Sequence, residues 1–274
     1  MTDAKKFFPV ENLSPVYDAG PDDFGHIIFY HVGKSGGSSF NMTLRAVINN
    51  IGVKGLHIRD VDAANIDETA FIWGHETAGV HLSLSKSYTY ATLLREPVTR
   101  FASIYYHWSQ EHFKGEVDHE LMQGKSLEQW IDADPRFMSQ VDWLSSKFDG
   151  RWYGDEALDV ARKNLTGYFA FVGITEMQEE SLFLCCDRFG WPSVPLWDYL
   201  YATEGRPDLA DMSLRLRRKI ERLVEPDLEL YHDERRKFEN LFKRSNFGES
   251  FREYMRDMER SPAQEAFLRY RRAG

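Results

Sequence analysis

HIIFYHVGKSGGSSF, residues 26–40, joins a buried-strand pattern to a helix through a loop suited to holding an anion. His26 to His31 is a short apolar run flanked by histidines and rich in the β-branched and aromatic residues of strands. Gly33, Gly36 and Gly37 allow positive φ and close approach of the backbone to a ligand, and Ser38 or Ser39 is placed to cap the next helix. Phe40, Leu44, Val47, Ile48 and Ile51 recur at helical spacing, so one face of that helix packs on a sheet while its N-terminal amides point toward the loop. Amides and helix dipole together favour a phosphate or sulfate there, and Lys34 adds a mobile positive charge.

Taken alone, a glycine-rich turn of this kind is often only a tight connection. A second strand-to-helix unit follows, however, in YATLLREPVTRFASIYYHW, residues 90–108, with Arg95 at the strand's end and Pro97 in the first turn of the helix. Phe101, Ile104, Tyr105 and Trp108 form a core-facing stripe, leaving Arg95 and Ser103 to meet a second anionic group beside the first loop. Two anion sites point to a bis-phosphorylated ligand. Further strands are predicted near Gly55 to Ile58, at Ala70 to Trp73, at Tyr88 to Leu94 and in FAFVGI at 169–174. Strands alternating with helices predict an α/β fold of P-loop-NTPase-like, three-layer type, with a central mainly parallel sheet flanked by helices and ligands at the strands' C-terminal ends.

A chain of 274 residues with 42% apolar content fits a single domain over 1–274. Within it, 1–25 reads as an N-terminal extended segment, 111–167 as a helical acceptor-side insertion and 243–274 as a C-terminal helical extension. The formal charge of −9 argues against a general nucleic-acid surface, which needs a basic field to neutralise phosphates. Cys185 and Cys186, the only cysteines, are adjacent and offer neither a disulfide framework nor zinc-ligand spacing, so they read as reduced core residues. Neither a signal-peptide pattern nor a membrane span is evident, and a cytoplasmic location is the expectation.

The motifs, in order, resemble the sulfotransferases that use 3′-phosphoadenosine 5′-phosphosulfate (PAPS), in particular the carbohydrate and heparan O-sulfotransferase branch. HVGKSGGSSF is similar to that family's 5′-phosphosulfate loop, commonly H-I-P-K-T-G-G-T-S. LLREPVTRFASIYYHW is similar to its 3′-phosphate segment, in which an arginine and a serine stand eight apart, as Arg95 and Ser103 do. YFAFVGITEMQEESLFLCCDRFGWP and EPDLELYHDERRKFENLF resemble its late strand-helix and its acidic-Leu-Tyr helix. The resemblance covers roughly residues 26–110 and 168–242. One departure is Gly33 where the family usually has proline, which makes the loop less rigid before ligand binds. The resemblance implies PAPS as donor, no required metal, and a hydroxyl acceptor on a carbohydrate or small molecule. It also implies a donor site of Lys34, Ser35, Gly36, Gly37, Ser38, Ser39, Arg95 and Ser103.

Sulfuryl transfer needs an acceptor oxygen, a route for its proton, and stabilisation of charge growing on the bridging oxygen of the departing nucleotide. Lys34 and the amides from Ser35 to Ser39 can supply the last. FIWGHETAGVH, residues 71–81, places His75 directly after a strand and a glycine, where the resembled branch often carries a proposed base; Glu76 and His81 compete for that role. His31 reads as a packed or loop-orienting residue, Trp130, Trp143 and Trp152 as packing residues, and the arginine clusters at 217–222 and 235–237 as solvated helix faces. The rival readings are a P-loop kinase or nucleotide hydrolase and a non-catalytic nucleotide-binding protein. Against the kinase, the first glycine of G-x-x-x-x-G-K-[ST] would fall at Ile28, inside the strand, and the second strand ends in Arg95 rather than a magnesium-holding acid.

Overall fold

β1 (His26–Tyr30), β2 (Gly55–His57), β3 (Phe71–Gly74), β4 (Tyr88–Leu94) and β5 (Phe169–Ile174) form one sheet in the order β2-β3-β1-β4-β5. Each neighbouring pair is parallel, with Ile27 of β1 opposite Phe71 on one side and Thr89 on the other. The computed structural model describes residues 25–75, 79–84, 87–110, 113–133, 135, 137–191, 212–244 and 247–259. Of the predicted N-terminal segment 1–25 and C-terminal extension 243–274, residues 1–24, 245–246 and 260–274 lie outside the described residues, and 247–259 is helical as expected.

The central strands are apolar on both faces because helices cover the sheet, and β1 and β4 are buried along their whole length. Parallel pairing forces each connection to cross over, and α1 (Gly37–Asn50) is the first crossover. Phe40, Leu44, Val47 and Ile48 of α1 are buried as their spacing predicts, each contributing about 1.5–3 kcal/mol of apolar burial. Ile51 instead lies just past the helix and is exposed. Ser38 and Ser39 do not cap α1. The cap position is Gly36, with φ 74°, and both serines fall inside the first turn, because the tight turn after Lys34 starts the helix earlier than the serines.

After β4, α2 (Pro97–Trp108) opens with proline in its first turn and is capped by Glu96, whose carboxylate accepts from the amides of Val98 and Thr99. Four short helices follow: α3 (Val117–Met122), α4 (Leu127–Asp132), α5 (Gln140–Leu144) and α6 (Ser146–Asp149). Reciprocal capping boxes at Ser126 and Ser139 define the starts of α4 and α5. Phe101 and Tyr105 of α2 pack with Trp130 and Ile131 of α4 in a second apolar cluster, separate from the core on the sheet. Trp108, expected in the same stripe, packs partly buried against that cluster and also lines a cleft.

The chain closes through α7 (Ala157–Tyr168), α8 (Gln178–Arg188), α9 (Leu214–Leu223), α10 (Glu225–Arg244) and α11 (Phe247–Glu259). Cys185 and Cys186 are buried in α8 as free thiols, and burial pushes the Cys186 thiol up to about 12, which leaves it protonated and unreactive. Among the described residues no helix is long and apolar enough to cross a membrane. The strand order puts the ends of β1, β3, β4 and β5 side by side, so His31, His75, Arg95 and Thr175 emerge at one edge of the sheet.

Candidate active site

The loop from β1 to α1 is tied down by its own carbonyls. Gly33 O accepts from Arg100 Nε (2.9 Å), Lys34 O from Arg95 (3.1 Å), Ser35 O from Thr175 Oγ1, and Gly36 O from Gln178 Nε2 (3.2 Å). Four successive carbonyls are therefore engaged by side chains of α2, the β4 end, the β5 end and α8. Carbonyls turned into the protein leave the opposite edges of their peptide units, the amide edges, facing the other way, as in an anion-binding concavity; the Ser35 amide is the exception, because it donates to Val32 O (3.3 Å). No side chain caps α1 and its first turn holds no acid, so the positive end of the helix dipole adds to the same field.

This arrangement constrains the backbone at defined positions. Lys34, with φ 64°, is the one described non-glycine residue in the left-handed region, a conformation that costs roughly 1–2 kcal/mol unless its surroundings hold it. A Cβ at Gly36 would stand 2.8 Å from Thr175 Cγ2, and one at Gly37 would stand 2.2 Å from the His31 ring. The glycines are needed for contact with β5 and with His31 as well as for access by a ligand. Gly33 faces only Trp143, at 3.4 Å from an added Cβ.

His75 follows β3 and stands exposed with its Nδ1 2.8 Å from His31 O. A carbonyl can only accept, so Nδ1 carries the proton and Nε2 of the neutral ring bears the lone pair. The His75 ring stacks on His31 with centroids 4.1 Å apart and an interplanar angle of 23°. Burial, then the neighbouring His75 and Lys34, hold the His31 imidazole well below its ordinary pKa, so His31 is neutral at pH 7.

A cleft of about 1150 Å³ opens over this edge and is lined by His31, Gly33, Lys34, Gly36, Ser38 and His75 on the sheet side. Its other wall comes from α2 and from the helical segment after it, including Trp108, Met138, Trp143 and Trp152. Lys147 places its ammonium 3.3 Å from the centroid of the Trp143 ring. Of the three tryptophans expected to pack, Trp130 does, Trp143 is buried yet forms the cleft wall, and Trp152 is 82% exposed at the cleft. The expectation fails for Trp152 because the residues around it build a rim rather than a core.

Lys34, Ser38 and His75 meet in the cleft. Ser35 is buried beneath the loop, donating its hydroxyl to Val32 O at 2.6 Å. Ser39 is buried in the first turn of α1. Arg95 reaches the loop through Lys34 O, and Ser103 is buried within α2. Of the competing bases, His81 is a core residue whose Nδ1 is 2.8 Å from Tyr90 Oη and whose ring stacks on Tyr88; Glu76 lies outside the described residues.

Arg100 is the residue that motif reasoning missed. Its buried guanidinium bonds Gly33 O and Met138 O and stands 4.0 Å from Asp227. Asp227 in turn accepts from the amides of Gln140 and Val141, both at 2.8 Å, and the Gln140 side chain bonds both the N and the O of Arg95. Burial lowers the Arg100 pKa to about 10, against the pull of Asp227, so it stays charged. An arginine one residue before Phe101 of the α2 apolar stripe was the available signal.

The arginine clusters also converge. Arg217, Arg218 and Arg222 of α9 and Arg235 of α10 line a second groove of about 720 Å³ with Glu96, Glu221 and Glu225. Behind it Glu176 accepts from the Glu96 amide (3.0 Å) and from Tyr231 Oη (2.8 Å), which ties β5, α2 and α10 together.

The sulfotransferase family profile matches residues 21–232, which spans the loop, both strand-to-helix units, the cleft wall and the start of α10. No curated protein matches the chain.

Proposed function

The protein belongs to the sulfotransferase family, and from that premise we propose that it transfers the sulfuryl group of PAPS to a hydroxyl acceptor. The observation that carries this reading is the convergence of Lys34, the amide-presenting loop and His75 Nε2 on one cleft. PAPS, when bound, supplies a sulfur whose bond to the bridging oxygen of the 5′-phosphate breaks as the acceptor oxygen attacks. The loop amides and Lys34 stabilise the charge that grows on that oxygen. Arg95, beside the loop, and Ser103 are assigned to the 3′-phosphate through the family motif; a guanidinium carries five donors, so its bond to Lys34 O does not exhaust it. His75 takes the acceptor's proton at Nε2 and returns it to solvent, while the Nδ1 bond to His31 O keeps the ring in the required tautomer. The products are a sulfate ester and 3′-phosphoadenosine 5′-phosphate (PAP), and no step calls for a metal.

The kinase reading is less well supported because Ile28, where a first P-loop glycine would stand, is fully buried inside β1. The test is release of PAP from PAPS in the presence of a hydroxyl acceptor. Lys34→Ala is expected to lower kcat by about 10²–10³-fold, the scale of losing one oxyanion-type donor. An unchanged kcat would remove Lys34 from the chemistry.

A further inference from the structure

Resting on that reading, the acceptor half of the cleft carries its own chemical signature. Among the described residues, Ile104, Trp108, Met122, Phe137, Met138 and Trp152 line it, against the wall formed by Trp143. Four of these seven are aromatic, and two are methionines, which adapt to irregular apolar shapes. Apart from Arg100 and Lys34, the charged side chains of the lining are Lys147 and Arg151, Asp118 and Asp142, equal in number and opposite in sign. Lys147 is drawn onto the face of Trp143, and Asp142 accepts from the Ser139 amide within its capping box. The two remaining lining cations have other tasks. Arg100 is bonded to Gly33 O and Met138 O, and Lys34 belongs to the donor loop.

We infer that the acceptor is an apolar alcohol or phenol of small-molecule size, entering past Trp152 and Met138 with its hydroxyl directed at His75. A polyanionic glycan would meet, among the described residues of this half of the cleft, two cations offset by two carboxylates, in a protein of formal charge −9. A neutral sugar could pair a hydroxyl with Asp118, Asp142 or Ser146, but those it set against Ile104, Met122, Phe137 and Met138 would meet side chains with no strong hydrogen-bond partner, and each unpaired hydroxyl is costly. One hydroxyl on an apolar body matches the wall: the body takes the aromatic and thioether surface, and the hydroxyl takes Nε2 of His75. The exposure of Trp152 (82%) and Met138 (44%) in the free protein gives an apolar ligand surface to cover at the mouth.

The experiment uses the 274-residue chain in two arms. Calorimetry with PAP reports the donor site alone. Initial rates at saturating PAPS then compare 2-naphthol and 1-decanol with a neutral oligosaccharide and a desulfated glycosaminoglycan. The expected result is PAP binding, with kcat/KM for the better apolar alcohol at least about tenfold above either carbohydrate. Trp152→Ala and Met138→Gln, both at exposed positions, are expected to raise KM for that alcohol about tenfold while PAP affinity is unchanged. PAP binding combined with a preference for carbohydrate, or with no transfer to either apolar alcohol, overturns the acceptor class and leaves the donor reading standing. Failure of PAP to bind overturns the sulfotransfer reading, and this inference with it.

Discussion

At the scale of single residues, His31 and His75 divide the work of one pair of rings. His75 Nδ1 is fixed by His31 O, which leaves Nε2 as the basic atom in the cleft. His75→Gln keeps a donor for that carbonyl and loses the proposed base, so kcat is expected to fall about 10²–10⁴-fold with PAP affinity preserved, as read by steady-state rates and calorimetry. His31 is held neutral chiefly by burial, with His75 and Lys34 beside it acting in the same direction. The unfolded chain protonates this ring near pH 6.5 whereas the folded one resists, so the unfolded state binds more protons and stability declines as pH falls below about 6.5. Thermal unfolding followed from pH 7.5 to 5.5 should show a shallower decline for His31→Phe than for the parent; equal slopes would remove His31 as the source. Both histidines stand out in the sequence, but their pairing is not readable there, since it arises only when β1 and β3 lie side by side.

At the scale of elements, the loop between β1 and α1 owes its shape to bonds made by its neighbours. Thr175, at the end of β5, donates to Ser35 O from 140 residues away in the chain. Thr175→Val keeps the volume and removes the donor. The loss of one hydrogen bond, about 0.5–1.5 kcal/mol, should weaken PAP binding about twofold to tenfold with little change in kcat. An equal drop in kcat would instead place Thr175 in the chemistry. The strand, the glycines and the apolar face of α1 were legible because each is a local pattern of period and residue type. The four carbonyl ties were not, because they join segments far apart in sequence, and the start of α1 at Gly37 depends on the left-handed turn through Lys34 and Gly36. Trp152 was misread for a related reason: an aromatic residue in an irregular acidic stretch carries no period that would tell rim from core.

At the scale of the molecule, Arg100 and Asp227 connect the loop between β1 and α1, the cleft wall at Met138 and Gln140, and the long helix α10. The pair is buried, and removal of one partner leaves an uncompensated charge together with unpaired main-chain oxygens. Arg100→Met is expected to lower unfolding stability by about 3–5 kcal/mol, read as a reduced urea midpoint. A midpoint within error of the parent would show that the loop is held without it. The α/β class and a cleft at the strand ends were legible from the alternation of strands and helices. The role of α10 was not, because Asp227 sits in a helix whose many charges otherwise face solvent.

The central claim is a donor site for a nucleotide bearing both a 3′- and a 5′-anion, built from the Lys34 loop and the Arg95 unit. Calorimetric titration with PAP, set beside ATP with magnesium under the same conditions, tests it most directly. The account predicts tight binding of PAP, weakened in Arg95→Ala, with little response to magnesium-ATP. Preference for magnesium-ATP over PAP would contradict it and return the kinase reading.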